Sequence, residues 1–578
     1  MSPAADPGPP VASGNVAEDP RDDAAPVVPH PVAAHRAPSG PPLADLPSLL
    51  GDLARRDPAV TVALDHTQTR GTVVVTRGQL WARTCRLTAE LTAHGVGPGD
   101  CVAIWLPTWS DVLAWQFAVA ARGAHVVGIN TRYNVDEVAH VLERARPALV
   151  VVAHDFHGLD LLGRLRAALA DPAAADVATP VVALVAGPGE QTPDPGPADV
   201  GAGSWTPSAD GTAPDPAPSD PGALAVAFTT SGSTGMPKLA AHSGRAVLDH
   251  AAADAAAIGL RDTDVMLCAL PLSGVYGFNA TTATLAAGGV CLFVPVFDAD
   301  VVVDLMAAHR VTHVAAGDDM VLRLRAAHDA RPRDLSAWRW WGAADFQGRL
   351  RELAEWAADL GVVTSGVYGA SELFALLSMW PDAEPAPDRW RAGGRVAHPG
   401  IEVRVADPET GEPVADGTEG ELQFRGSCVV DAYLGDPDRA AAVRRADGWF
   451  GSGDLGVLVD EGAFVYVCRM GDALRLRGFL VDPAEIEVRL AAHAGVDTAK
   501  VVGITADDGA TIAIGFVTAA PGEAPDPAEL REWCAQGLAR FKIPETVHVV
   551  REMPTTSGTN GAKIRAAVLR EWALQRRG

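Results

Sequence analysis

Short apolar runs alternate with helical patterns through the first half of the chain, and this alternation constrains the fold most. Val102–Trp105, Leu149–Val152, Val181–Val185 and Leu224–Phe228 read as buried strands, while Val112–Ala121 and Asp136–Arg144 read as helices. Parallel strands need a crossover long enough to hold a helix, so this order predicts an α/β fold with parallel sheet. From Gly411 onward the texture changes to short strands, such as Gly420–Arg425 and Phe464–Val467, separated by Gly/Asp turns. A domain boundary is expected near residues 469–471. It separates a large N-terminal part, residues 43–468, from a small C-terminal domain, residues 469–578. Residues 1–42 are rich in Pro, Ala, Asp and Gly and offer little to bury, so they are expected to be a disordered extension. The Pro/Asp/Gly-rich stretch 187–222 is expected to be an exposed connection.

Composition excludes several functions. The 578 residues carry a formal net charge of −25, which argues against nucleic-acid binding as the main business. The seven cysteines are scattered with no C-x-x-C, so neither a disulfide framework nor a zinc site is expected and a reducing compartment fits. The start has no basic segment leading into an apolar one, and no apolar run approaches the ~18 residues of a membrane span. A cytoplasmic protein without integral membrane association is expected. Charge is nonetheless local: residues 541–578 hold seven Lys and Arg against three Glu.

The segment with the most chemistry follows the strand at Leu224–Phe228. It reads Phe228-Thr-Thr-Ser-Gly-Ser-Thr-Gly-Met-Pro-Lys238. Gly232 and Gly235 allow tight turning and close approach to a ligand. Thr230, Ser231, Ser233 and Thr234 supply hydroxyls, and Lys238 adds a point charge, which together suit a polyphosphate. This is not a P-loop, because the lysine is neither preceded by Gly nor followed by Ser or Thr.

That loop resembles the signature loop of the adenylate-forming superfamily, in particular its acyl-CoA synthetases. Five further motifs follow in family order. Tyr368-Gly-Ala-Ser-Glu372 is similar to Y-G-x-T-E, and Gly420-Glu-Leu-Gln-Phe-Arg-Gly426 to G-E-L-x-x-R-G. Gly448-Trp-Phe-Gly-Ser-Gly-Asp-Leu-Gly456 is similar to G-W-F-x-T-G-D-x-G. Residues 469–487 resemble the hinge-and-thiolation segment, and 553–564 the C-terminal lysine motif.

The resemblance implies an α/β N-terminal part of several subdomains, a small α+β C-terminal domain, and an active site between them. It implies an enzyme that activates a carboxylic acid with ATP and Mg²⁺ as acyl-AMP, releases pyrophosphate, and passes the acyl group to coenzyme A. Lys563 would bridge carboxylate and phosphate. Glu372, with Thr234, would hold Mg²⁺, and Ser371 would sit near the α-phosphate. Asp454 and Arg469 would take the ribose hydroxyls, with Gly342, Ala343, Tyr368 and Gly369 around the rest of the AMP. Gly274, Tyr276, Gly277 and Asn279 match the acyl-pocket region, and Gly471, Arg475 and Gly478 the hinge and thiol tunnel. Residue usage supports part of this: only four of the 47 basic residues are lysine, and Lys238 and Lys563 fall in the two phosphate motifs. A compact ammonium survives where a planar guanidinium will not substitute.

Departures shape the rivals. Ser273-Gly274 stands where many relatives carry Phe-His, and the motif lacks the Asp that pairs an α-amino group, which disfavours an amino acid substrate. Gly471 stands at the hinge in place of Asp or Lys. The alternatives are a ligase that loads a carrier protein in trans, a luciferase-type monooxygenase, and a non-catalytic nucleotide-binding homologue. His313 and the tryptophans 338, 340 and 341 are expected to be structural or to wall a pocket.

Overall fold

The computed structural model describes residues 43–577 apart from 191–202, 209–210, 231–236, 347, 439–442, 446, 471–473, 477–478, 482, 507–510, 539 and 559–560. The N-terminal extension, Ser231–Gly235 of the loop, Gly471 and Gly478 therefore lie outside the described residues. So do the side chains of Arg475 and Lys563.

The chain is α/β, as the alternation predicts. The strands Cys101–Trp105, His125–Gly128, Leu149–Ala153, Val181–Val185 and Leu224–Thr229 pair in parallel within an eight-stranded sheet. Their apolar runs are buried on both faces, which is why they read as continuous rather than alternating hydrophobic segments. A second, thirteen-stranded sheet has a parallel half and an antiparallel half. His313–Gly317, Trp340–Ala344 and Val363–Tyr368 are parallel neighbours, and antiparallel pairing begins where Tyr368 meets Ser378.

Helix Val275–Ala287 is buried along nearly its whole length and packs between the sheets. It has no polar face because no side of it meets water. Beyond residue 473 a separate five-stranded sheet forms the C-terminal domain, built on the long hairpin Val496–Thr505 and Thr511–Ala519. The lysine motif folds as the hairpin Thr555–Gly558 and Gly561–Ile564, which pairs Thr556 with Lys563 and rests on helix Asp318–Ala330.

The connection 187–222 is less free than its composition predicts. Ser204–Trp205 adds an edge strand beside Val182–Ala183, and Trp205 donates its Nε1–H to Glu90 at 3.0 Å and stacks on His94. Asp215 accepts from Trp81 Nε1 at 2.9 Å. A few anchoring side chains fix a segment whose other residues favour turns. All seven cysteines are buried thiols.

Candidate active site

The site gathers at the C-terminal ends of Trp340–Ala344 and Val363–Tyr368. Strand Phe450–Asp460 lays Asp454 directly opposite Arg469 on its antiparallel neighbour. Arg469 Nε stands 3.1 Å from Asp454 Oδ1, and the Tyr368 hydroxyl donates to Oδ2 at 2.6 Å. Burial, then the Asp454 charge, hold the Tyr368 phenol far above its ordinary range, so it remains a donor. Its ring is walled by Phe424, Phe464 and Tyr466. Arg469 is further stabilised as a cation by Asp454, the two tyrosines and Glu372, against the cost of its own burial.

Glu421, in a motif to which sequence alone assigns no role, supports this corner. It accepts from Arg445 at 2.7 Å, Gln423 at 2.8 Å and the Gly453 backbone at 3.3 Å, and so holds the turn before Asp454. The Ser452 hydroxyl accepts from the Asp454 N–H and donates to the Leu422 carbonyl.

Ser371 and Glu372 open a short 3-10 turn after the Tyr368 strand. Three residues in succession, Phe374, Ala375 and Leu376, then take the left-handed conformation. The sharp reversal brings Ala375 against Gly369, where an added Cβ would lie 2.6 Å from the Ala375 Cα. Glycine is required there by space. The turn is pinned from beneath. His242 Nε2–H donates to the Ser371 carbonyl at 2.7 Å, and the Val430 N–H to that of Glu372 at 2.8 Å. Burial pushes the His242 imidazole down to about 4, so it is neutral at pH 7. Asn279 is fully buried and donates to both the Phe374 carbonyl and the Asp254 carboxylate, each at 2.8 Å.

The loop end and Glu372 meet through a tyrosine. The Tyr433 hydroxyl donates to Glu372 Oε1 at 3.3 Å, and the Lys238 ammonium lies 5.7 Å from the Tyr433 ring centre. The Thr230 N–H closes the loop base on the Lys238 carbonyl at 2.8 Å, and the Thr230 hydroxyl is buried without a hydrogen-bond partner among the described residues. Tyr276 donates its hydroxyl to the Gly342 carbonyl at 2.9 Å, with Ala343 next along the same strand. Gly274 caps the helix start, and Gly277 lies against the Leu270 and Pro271 carbonyls.

The structure thus brings together Tyr368, Asp454, Arg469, Ser371, Glu372 and Lys238. It adds Tyr433, His242 and Glu421. His313 is structural, engaged by Thr312 and the Ile258 carbonyl, and Trp338 and Trp341 bond backbone carbonyls in the core. Lys500 pairs with Glu487 at 2.8 Å, and Glu487 accepts the Val501 N–H.

The AMP-binding enzyme family model matches residues 53–434, and the model of the AMP-binding enzyme C-terminal domain matches 485–559. The chain belongs to the AMP-binding enzyme family. It is 30% identical to 3-[(3aS,4S,7aS)-7a-methyl-1,5-dioxo-octahydro-1H-inden-4-yl]propanoyl:CoA ligase of Rhodococcus jostii, across 91% of this chain and 98% of that one. It is 29% identical to feruloyl-CoA synthase of an Amycolatopsis species, across 87% and 94%. Among solved structures, ATP-bound MatB from Rhodopseudomonas palustris superposes with a TM-score of 0.77 at 26% identity, covering 92% of this chain and all of that one. The adenylate-forming resemblance read from six motifs is borne out over almost the whole length.

Proposed function

We propose that this AMP-binding enzyme is an acid–thiol ligase that makes acyl-AMP and then acyl-CoA. The observation that carries the reading is the Tyr368–Asp454–Arg469 cluster beside Ser371 and Glu372. On this reading the Asp454 end accepts a ribose hydroxyl pair, and the Ser371 and Glu372 end takes the phosphates. In the first step a carboxylate oxygen of the acid attacks the α-phosphorus of ATP. The bond to the bridging oxygen breaks, and pyrophosphate leaves with both electrons. In the second step the CoA thiolate attacks the acyl carbon and AMP leaves.

Both reactants in the first step are anions, so catalysis is chiefly electrostatic neutralisation in a preorganised site. Lys238 supplies one charge at the loop base. Lys563, on the hairpin that rests on helix Asp318–Ala330, supplies a second that bridges carboxylate and phosphate. Glu372 is a hard oxygen donor at the mouth of the site, which suits Mg²⁺, an ion that takes one or two carboxylates together with substrate phosphates. When bound, that ion neutralises phosphate charge. Asp454 orients the ribose, held in place by Tyr368. The buried thiols fit a reducing compartment, and the cytoplasm is the proposed place of action.

The test is to incubate the protein with ATP, Mg²⁺ and a panel of carboxylic acids, with and without CoA, and to resolve AMP, pyrophosphate and acyl-CoA. Acyl-CoA formation is expected. Trapped acyl-AMP without transfer to CoA would instead favour a carrier protein acting in trans. Nucleotide binding with no pyrophosphate from any acid would favour a non-catalytic homologue.

A further inference from the structure

Helix Val135–Ala145 grips the phosphate segment from outside it, at residues that none of the six motifs contains. His140 Nε2–H donates to the Pro237 carbonyl at 2.7 Å, and Pro237 directly precedes Lys238. A proline ring fixes φ near about −65°. A hydrogen bond at the Pro237 carbonyl then constrains ψ, the remaining soft angle, and with it the plane of the peptide that enters Lys238. The peptide that leaves Lys238 is held as well, by the Thr230 N–H on its carbonyl at 2.8 Å. Just ahead of the helix, the Tyr133 hydroxyl bonds that of Thr229 at 2.7 Å, at the other end of the segment.

The same helix holds the Glu372 side of the site. One turn on from His140, Arg144 donates to the Gly435 carbonyl at 2.9 Å. Gly435 has a φ of 71°, and an added Cβ would lie 2.8 Å from the Arg144 carbonyl oxygen, so glycine permits this close approach. Two residues earlier stands Tyr433, whose ring lies 5.7 Å from the Lys238 ammonium and whose hydroxyl donates to Glu372. The helix is firmly seated. A capping box of Asn134 and Glu137 closes its start, and Val138 and Leu142, on the face away from His140, are fully buried in the core. His140 and Arg144 therefore stand a fixed distance apart, about 6 Å along the axis. We infer that His140 and Arg144 are positioning residues for the phosphate step: they fix Lys238 against Tyr433 and Glu372. The inference rests on the reading of Lys238 as a partner of the ATP phosphates. A charge placed before the nucleotide arrives costs no reorganisation when the anion binds.

The test reads binding without requiring turnover. Calorimetry on the full chain compares α,β-methylene-ATP, which cannot release pyrophosphate, with AMP, each in the presence of Mg²⁺. His140→Leu removes the donor to Pro237. It should weaken the triphosphate roughly 2- to 10-fold and change AMP, which lacks the β- and γ-phosphates, by less than about twofold. His140→Gln restores an N–H donor and should recover most of the loss. In a Lys238→Met background, His140→Leu should add almost nothing, because its effect runs through Lys238. Arg144→Met keeps the apolar stem at a partly exposed position, should lower the same preference, and covers the case in which His140→Leu fails to fold. Equal weakening of both nucleotides would overturn the inference, as would an unchanged preference in the folded variants or additive losses with Lys238→Met. Pyrophosphate release over the acid panel is followed in parallel. A selective loss of triphosphate binding with no pyrophosphate from any acid supports the positioning role and sinks the ligase reading alone. Pyrophosphate release with an unshifted nucleotide preference in the variants sinks the positioning role alone.

Discussion

The Tyr368 hydroxyl donates to Asp454 at 2.6 Å and so fixes the carboxylate before any nucleotide arrives. Asp454 is nearly fully buried, and its other oxygen faces Arg469 at 3.1 Å. A carboxylate held from two sides does not reorganise on binding, which keeps its acceptor positions fixed for the ribose it is proposed to hold. Tyr368→Phe retains the ring packing and removes only this donor. A hydrogen bond to a charged group is worth about 1.5–3 kcal/mol. The variant should therefore raise the KM for ATP by roughly 10-fold or more, with a smaller effect on kcat. Steady-state kinetics with ATP varied at saturating acid measure this split. A fall in kcat with KM unchanged would mean that Tyr368 serves the reacting atoms rather than the ribose site.

Lys563 is proposed to act in one half-reaction only. Its strand rests on helix Asp318–Ala330, on the N-terminal side of the domain boundary. Removing one preorganised charge from a developing anion costs about 10²–10³ in rate. Lys563→Ala should lose that factor in acyl-AMP formation, read as pyrophosphate release. Transfer from supplied acyl-AMP to CoA should be largely unchanged. Equal loss in both half-reactions would show that the lysine supports folding or nucleotide binding instead.

The fold class was legible because buried parallel strands are short apolar runs bounded by turns, and this chain writes them plainly at Leu149–Val152 and Leu224–Phe228. Their assignment to sheets was not legible. Nothing local tells Val363–Tyr368 that it ends a parallel half and begins an antiparallel one. The site was legible where motifs are contiguous, as with Ser371 and Glu372, or where scarcity marked a residue, as with Lys238. The same scarcity argument, applied to tyrosine, would have found more. The chain has five tyrosines against 14 each of Phe and Trp. Tyr133 bonds Thr229 at the loop base, Tyr276 bonds Gly342, Tyr368 bonds Asp454, Tyr433 bonds Glu372, and Tyr466 packs on Tyr368. Four of the five place a hydroxyl on an apolar ring against a polar partner that Phe would leave unmet. Which partner each of those four hydroxyls meets is set by contacts across 61 to 96 positions, as for Tyr433 with Glu372 and Tyr133 with Thr229, and a linear reading does not supply those.

His242 makes stability depend on pH in a stated direction. Its ordinary value of 6.5 falls to about 4 in the folded chain, mainly through burial. Between those two values the unfolded chain binds a proton that the folded chain does not. Stability contributed here is therefore present above pH 6.5 and lost as pH falls toward 4, by up to about 1.4 kcal/mol per pH unit. Asp65, raised by burial to about 7, acts in the opposite sense over the same window, so the native slope is a difference of terms. His242→Gln keeps a donor for the Ser371 carbonyl and removes the titration. The difference in denaturant midpoint, variant minus native, should therefore increase as the pH is lowered from 7 to 5. Parallel slopes would show that His242 is protonated or solvated in the folded state.

Among the described residues, an ion pair spans the two domains. Arg349, at the start of helix Leu350–Asp359, stands 3.3 Å from Asp497 on the first long strand of the C-terminal sheet. The Arg349 backbone N–H is held by the Asp318 carboxylate at 3.1 Å, and its guanidinium is shared with Glu352. The pair is partly exposed, so it contributes about 0.2–1 kcal/mol. That is small for folding but moves a two-state domain equilibrium by up to about fivefold. The pair exists with the Lys563 hairpin seated on helix Asp318–Ala330, so it favours that arrangement over any in which the C-terminal domain turns away for thiol transfer, a movement proposed here from the hinge resemblance. Asp497→Ala should slow acyl-AMP formation by up to about fivefold and leave thiol transfer as fast or faster. Asp497→Arg should slow the first step further, because two guanidinium groups would then face each other. Salt separates this from a packing effect. Near 1 M ionic strength the screening length falls to about 3 Å, and the native and Asp497→Ala rates should converge. A gap that persists in high salt would assign Asp497 a structural role within its own sheet, beside Thr498 and Thr518.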